Sequence, residues 1–286
     1  MTTPVETTAT PASQEPEKET LGSFLWFVLK LALLALAFRS FVFSPFSIPS
    51  ESMLPRLMIG DYFIAAKWPY GYTRYSLPMN APLIPGQVLG SLPERGEVVV
   101  FKHPVDKVDY IKRVMALPGD TVEMRGGVFV LNGVPVTKEP MADFLQPVDQ
   151  HLLKAAALSG RSTACAWGGF EERLPDGARQ CRYMRYRETL PSGVSYEVLD
   201  FGTTDADTWE AKTVPEGHVF VMGDNRDNSQ DSRFPARPGG GVGWVPQDHL
   251  VGRASMMVWS TDGSAEWVKP WTWFTAARWD RMGDGI

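Results

Sequence analysis

Apolar residues along the chain form one long run followed by many short ones. The long run, LGSFLWFVLKLALLALAFRSFVF from Leu21 to Phe43, carries one charge near its middle, Lys30. A helix needs about 20 mostly apolar residues to cross the hydrocarbon of a bilayer, so residues 21–43 predict a transmembrane anchor. Lys30 costs about 3 kcal/mol on an insertion scale, while the Leu, Phe and Val residues around it return about 3 to 7 kcal/mol; its long stem also lets the amine snorkel. A cleaved leader would show a basic segment before the run and a small-x-small site after it, and neither is present. The preceding tail, residues 1–20, is acidic and rich in Thr, Pro and Glu, a composition that predicts disorder.

From Ser44 on, short β-type runs alternate with Gly and Pro, which predicts a mostly β domain. The clearest strands are EVVVFK (Glu97 to Lys102), VDYIKRVMA (Val108 to Ala116) and HVFVM (His218 to Met222). Val128 to Leu131 and Val134 to Val136 flank an Asn132-Gly133 step, a strong hairpin signal because both central residues of such a turn need positive φ. Residues 142–213 have fewer strand runs, both cysteines and the stretch RYMRYRE, and predict an inserted β subdomain or a long hairpin excursion. The main β domain is then expected over residues 44–141 and 214–286. Near the C-terminus, Trp267, Trp271, Phe274 and Arg278 lie at helical spacing and predict an amphipathic helix over 267–282 packed on the core, the alternative being an aromatic contact with the membrane surface.

Charge narrows the function classes. The net charge of -5 has no basic block, which excludes a nucleic-acid partner. Around the anchor, Lys18 stands on one side and Arg39 and Arg56 on the other, so basic residues do not favour an inside N-terminus. Cys165 and Cys181 are the only cysteines. They fit either a disulfide formed in an oxidising compartment or two separate buried thiols.

The familiar catalytic signatures are missing: the chain has no His-Glu-x-x-His, no Gly-x-Ser-x-Gly and no phosphate-binding Gly-x-x-x-x-Gly-Lys-Ser. Four scattered histidines and two cysteines give no metal-ligand spacing, so no metal and no cofactor are expected. Three segments instead combine dense polar residues with apolar runs: IPSESMLPRLMIGD (Ile48 to Asp61), DYIKRVMALPGD (Asp109 to Asp120) and GDNRDNSQDSR (Gly223 to Arg233). In the first, Pro49 and Pro55 stiffen a loop holding Ser50 and Ser52. In the second, strand alternation puts Lys112 on one face with Val108, Tyr110, Val114 and Ala116. Burial there disfavours the charged amine and makes a base of a lysine whose ordinary pKa is about 10.4. The bland alternative is a lysine snorkelling from a sheet edge. The third segment lacks the glycine and alternation of a calcium loop.

Taken together and in order, these segments resemble the motif set of the bacterial type I signal peptidases. That set reads Pro-Ser-x-Ser-Met after a membrane span, Arg-Gly-(Asp/Glu)-x-Val-Val-Phe, Asp-Tyr-Ile-Lys-Arg with Leu-Pro-Gly-Asp, and Gly-Asp-Asn-Arg-Asp-Asn-Ser-x-Asp-Ser-Arg. The matching stretches here are Pro49 to Met53, Arg95 to Phe101, Asp109 to Arg113 with Leu117 to Asp120, and Gly223 to Arg233. The single span is similar to that of the one-anchor members.

The resemblance implies that Ser52 attacks the scissile carbonyl, Lys112 takes its proton, and the Ser50 hydroxyl with the Ser52 N–H forms the oxyanion hole. It implies that Ser229 orients the Lys112 amine and that Asp231 and Arg233 form a bracing ion pair. The expected partners are signal-peptide-bearing preproteins, cut after small residues in an Ala-x-Ala pattern and bound as an added strand, together with membrane lipid. The expected location is the bacterial inner membrane, single-pass, with the catalytic domain on the periplasmic or extracytoplasmic side. Ser52 lies nine residues past Phe43, within about 32 Å of the membrane even if fully extended.

Two departures stand out: Arg56 where many members have Thr or Ser, and an extended Pro235 to Gly243 stretch. Two other classes compete with a protease: an inactive membrane-tethered binding module, and a soluble Ser/Lys self-cleaving repressor. Intact Ser52 and Lys112 weigh against the first. The anchor weighs against the second.

Overall fold

The apolar run folds as a helix, α1 (Leu21–Phe41), of 21 residues. At 1.5 Å per residue it is about 31 Å long, the thickness of a bilayer core. Apart from Ser40 its residues are exposed, as an all-round apolar helix facing lipid would be. The Lys30 amine lies 5.3 Å from the centre of the Trp26 ring. The helix stops two residues before the predicted end, because Pro45 forces the residue ahead of it toward extended backbone and Phe43 already opens the first strand. The computed structural model describes residues 20–266 and 268–286; the tail through residue 19 and Trp267, with the expectations placed on them, lie outside the described residues.

The chain divides into two units after Phe38, and residues 39–286 hold all the strands found among the described residues. In chain order these are β1 (Phe43–Ser47), β2 (Asp61–Ala66), β3 (Val98–Lys102), β4 (Asp109–Ala116), β5 (Thr121–Arg125), β6 (Val128–Leu131), β7 (Val134–Pro135), β8 (Thr137–Pro140) and β9 (Phe144–Pro147). A short helix, α2 (Gln150–Leu158), precedes β10 (Glu171–Arg173), β11 (Arg179–Tyr183), β12 (Arg185–Thr189), β13 (Ser195–Leu199) and β14 (Trp209–Thr213). The last strands are β15 (His218–Met222), β16 (Val245–Pro246) and β17 (Leu250–Ser260), before α3 (Trp271–Thr275).

A seven-stranded sheet in the order β1-β2-β17-β3-β4-β15-β16 forms the base. Its central pair, β3 and β4, is antiparallel with Val99 opposite Lys112. The predicted alternation is visible in the packing. Val99, Phe101 and Val114 fill one buried cluster with Tyr110 against it, while Val98, Val100 and Ile111 join Met53 and Leu57 in another. The Asn132-Gly133 turn closes β6 on β7 with φ of 52° and 80°, as the sequence predicts.

Residues 142–213 share sheets with their flanks: β14 pairs with β5 and β12 with β8. Cys165 and Cys181 are bonded, which resolves the two readings left open by the sequence. The bond sits in a cluster with Tyr183, Leu199 and Phe201, joined by Leu54, Met58 and Ile59 from the loop that carries Ser52.

The C-terminal helix is far shorter than predicted. Only α3 and a 3₁₀ turn at Trp279–Arg281 form, and Trp271 and Phe274 are about two-thirds exposed, at 64% and 65%, instead of packed on the core. Backbone pairing with β17 overrides the helical spacing. Arg278 N donates to Ser260 O at 3.0 Å and Met257 N to Asp284 O at 2.9 Å. Buried Asp61 also draws in Arg281 at 2.6 Å.

Candidate active site

Residues 48–60 form the loop between β1 and β2, and its neck is closed by backbone bonds from Ile48 N to Asp61 O (2.9 Å) and Gly60 N to Ile48 O (3.3 Å). Met53, Leu54 and Leu57 are fully buried beneath it. Such packing holds one backbone conformation, so Ser52 is presented from a fixed platform. Its side chain is nearly buried, at 7% exposure. The Ser52 N–H makes no hydrogen bond with the described residues and is free to donate. Ser50 is exposed, its hydroxyl 3.3 Å from the Ser52 hydroxyl.

Lys112 arrives from β4 at 3% exposure. Its amine is 2.6 Å from Ser52 Oγ and 3.0 Å from the Ile111 carbonyl oxygen. Burial disfavours the ammonium and lowers the Lys112 pKa from 10.5 to about 8. Asp231 and then Asp224 pull it back up, and Arg233 pushes it down. Desolvation dominates, so a useful fraction of the amine is neutral near pH 7 to 8, beside a hydroxyl.

The loop Gly223 to Arg233 forms the wall behind this pair. Asn225 N donates to the Ser52 carbonyl at 3.1 Å, and Asn225 Nδ2 to the Glu51 carbonyl at 3.1 Å. Gly223 fits where no side chain can. A Cβ there would stand 2.5 Å from the Ser52 carbonyl oxygen and closer still to the Ser229 hydroxyl. Ser229 Oγ is buried beside the Asp231 carboxylate, which its hydroxyl helps to keep ionised, and meets no other hydrogen-bond partner among the described residues.

Three buried arginine–carboxylate pairs fix the wall. Arg233 and Asp231, both fully buried, join at 2.9 and 3.0 Å, and Asp231 also accepts from Gly223 N at 3.0 Å. Burial pushes the Asp231 carboxyl up, but the Arg233 charge and these hydrogen bonds outweigh it and hold the group below its ordinary range. Arg113 grips Asp224 at 2.7 and 2.6 Å. Arg226 grips Glu188 of β12 at 2.7 and 2.6 Å. Bidentate pairs of this kind fix orientation as well as charge.

The structure therefore brings Ser50, Ser52, Lys112, Ser229, Asp231 and Arg233 into one neighbourhood. The two ion pairs beyond Asp231 and Arg233 are not apparent from the sequence reading, and neither is the steric role of Gly223. A fourth pair was also missed: Glu51, buried between the two serines, binds Arg161 of the disulfide-bearing segment at 2.8 Å. Burial raises the Glu51 pKa, with Arg161 opposing. The only sequence signal for these partners is that the charges lie beside apolar runs. Among the described residues no histidine hydrogen bonds to either member of the pair: His103, His218 and His249 bond to the backbone oxygens of Gly241, Glu216 and Lys102.

Comparison with known proteins places this geometry in context. A family described as signal peptidase, peptidase S26, matches residues 21–259. The signal peptidase I of Rickettsia massiliae (strain Mtu5) is 33% identical over 247 residues, covering 85% of this chain and 80% of that protein. The signal peptidase I of Rickettsia prowazekii (strain Madrid E) is 30% identical over 259 residues, covering 87% and 83%. A solved signal peptidase I from Enterococcus faecalis V583 matches at 24% identity over 58% of this chain and 98% of its own, with a TM-score of 0.29, too loose a superposition to argue from.

Proposed function

The chain belongs to the signal peptidase family, peptidase S26, and on that premise we propose that it cuts signal peptides from preproteins with Ser52 as nucleophile and Lys112 as general base. As a member it is a hydrolase, a serine protease that removes signal peptides. The observation that carries the dyad reading is the 2.6 Å contact between Ser52 Oγ and a lysine amine at 3% exposure. The neutral amine accepts the hydroxyl proton as Ser52 Oγ bonds to the scissile carbonyl carbon, and the resulting ammonium returns it to the leaving amine. The oxyanion that forms is met by the unbonded Ser52 N–H and the Ser50 hydroxyl. The acyl group on Ser52 is then released by water activated by the same amine. Once protonated, Lys112 has three N–H bonds to satisfy. Ser52 Oγ and the Ile111 carbonyl take two, and we assign the third to the Ser229 hydroxyl oxygen, whose own proton faces Asp231. Asp231 and Arg233 act as positioning residues for this wall.

The substrate reading, an extended segment with small residues at the first and third positions before the cut, rests on the motif resemblance. So does the placement of the chain as a single-pass protein of the bacterial cytoplasmic membrane with residues 39–286 outside the cytoplasm. The disulfide supports that side, since such bonds persist in oxidising compartments. Digestion of the C-terminal domain by protease in sealed inverted vesicles would argue against it.

Detergent-purified chain, incubated with a preprotein bearing an Ala-x-Ala site, is expected to release the mature protein, with Ser52→Ala and Lys112→Ala folded and inactive. Equal activity in all three would sink the dyad assignment.

A further inference from the structure

A second buried lysine has no part in the dyad. Lys67, just past the end of β2, is 3% exposed. Its amine forms no hydrogen bond or ion pair with the described residues, its nearest aromatic neighbour being the Phe46 ring at 5.9 Å. It lines a cavity of about 340 Å³ together with Arg39, Lys102, Asp109, Ser40 and Ser44. Lys102 already pairs with Asp109 at 2.9 Å, and Arg39 makes no ion pair among the described residues. Three cations thus face one cavity against a single carboxylate. Burial lowers the Lys67 pKa to about 8, Asp109 opposes this, and Lys102 and Arg39 push it further down. Such an arrangement is costly unless an anion enters.

The position of the cavity indicates which anion. Arg39 belongs to the last turn of the apolar helix, and Ser40 and Ser44 follow at once along the chain. The rim is apolar: Pro45, Leu77, Pro78 and Met79 line it, and Met79 is 97% exposed. A cationic seat with an apolar rim, one residue of which ends a bilayer-length helix, matches a phosphate attached to acyl chains. We propose that this cavity binds the headgroup phosphate of an anionic phospholipid, with Lys67 and Arg39 as its principal contacts and the acyl chains along Met79. The inference rests on α1 being embedded in a bilayer.

The full chain, purified from phosphatidylcholine nanodiscs doped with phosphatidylglycerol, is examined by native mass spectrometry for retained lipid, in parallel with Lys67→Gln, Arg39→Gln and the charge-preserving Lys67→Arg. One phosphatidylglycerol retained in preference to phosphatidylcholine is expected, its affinity falling about fivefold for each cation removed and recovering in Lys67→Arg. Inorganic phosphate is titrated as a separate arm. Tight phosphate binding without lipid retention would mean a free-anion site and overturn the lipid assignment. Equal retention by native chain and both Gln variants, or none by the native chain, would overturn the site. Resistance of the chain to alkaline extraction from membranes is scored on the same preparations. Extraction of the native chain defeats the anchor reading, whereas loss of lipid preference with the chain still embedded defeats this one. Preprotein cleavage by each variant confirms folding, and Lys67→Arg keeps the test decisive if Lys67→Gln misfolds.

Discussion

Lys112 and Lys67 are both 3% exposed, and burial takes both from 10.5 to about 8. Desolvation thus gives both amines the acidity a base needs, and it cannot by itself mark either as catalytic. The difference lies in what each amine meets. Around Lys112 the fold supplies a hydroxyl at 2.6 Å, two carboxylates within electrostatic reach and a wall braced by three bidentate pairs. Around Lys67 it supplies two more cations and an open cavity. On the readings proposed above, one region takes up a proton from a neighbour and the other an anion from outside. A shifted lysine becomes a functional assignment only with its partners named.

The largest expected effect separates the two regions at once. Lys112→Met should lower kcat for preprotein cleavage by about a thousandfold or more, the scale of losing both proton transfer and nucleophile activation, while Ser52→Ala combined with it adds little because the two act as a unit. Steady-state kinetics on the single and double variants checks this, and additive losses would break the pairing. Gly223→Ala should follow, lowering kcat by about a hundredfold, since its new Cβ has to displace the Ser52 carbonyl or the Ser229 hydroxyl and misplacement near 1 Å costs about that much.

Asp231→Asn should move the acid limb of the kcat/KM profile to lower pH, because the Asp231 charge raises the Lys112 pKa and its loss leaves Arg233 uncompensated. The same substitution should cost about 3 to 5 kcal/mol of stability, as breaking a buried pair does. Denaturant unfolding measures the second effect, and an upward shift of the limb would contradict the first. Replacing Cys165 and Cys181 together by Ser should cost about 3 kcal/mol for a loop of this size, with a smaller kinetic effect transmitted through Leu54, Met58 and Ile59. Last, Lys112→Met should raise stability at neutral pH by up to about 3 kcal/mol. The folded pKa lies below the unfolded one, so the unfolded chain binds more protons between about pH 8 and 10.5. The native protein therefore gains stability across that window as pH rises, and the advantage of the variant should shrink over it.

Much of this was legible in the sequence because it is periodic or motif-like. The alternation that set Lys112 with Tyr110 and Val114, the Asn132-Gly133 turn and the long apolar helix are local patterns, and local patterns survive folding. Residues acting across long separations were not legible. Glu51 finds Arg161, and Arg226 finds Glu188, through topology alone. The disulfide was one of two readings until the two cysteines were seen side by side. The C-terminal helix failed for the converse reason. Its spacing was genuine, but β17 offered backbone partners that a lone helical stretch exposed to water cannot match. Lys67 drew no notice in the sequence because a lysine ending a strand is ordinary; only its burial among other cations sets it apart.

The most direct test of the Ser52 and Lys112 assignment is the pH dependence of kcat/KM for a peptide bearing an Ala-x-Ala site, run from mildly acid to alkaline pH on the native chain and on Lys112→Met. A single acid limb centred at about 8, absent from a variant reduced to background, is the predicted result. A limb near 6.5, where an ordinary histidine titrates, or a Lys112→Met variant that keeps the native profile, would contradict it.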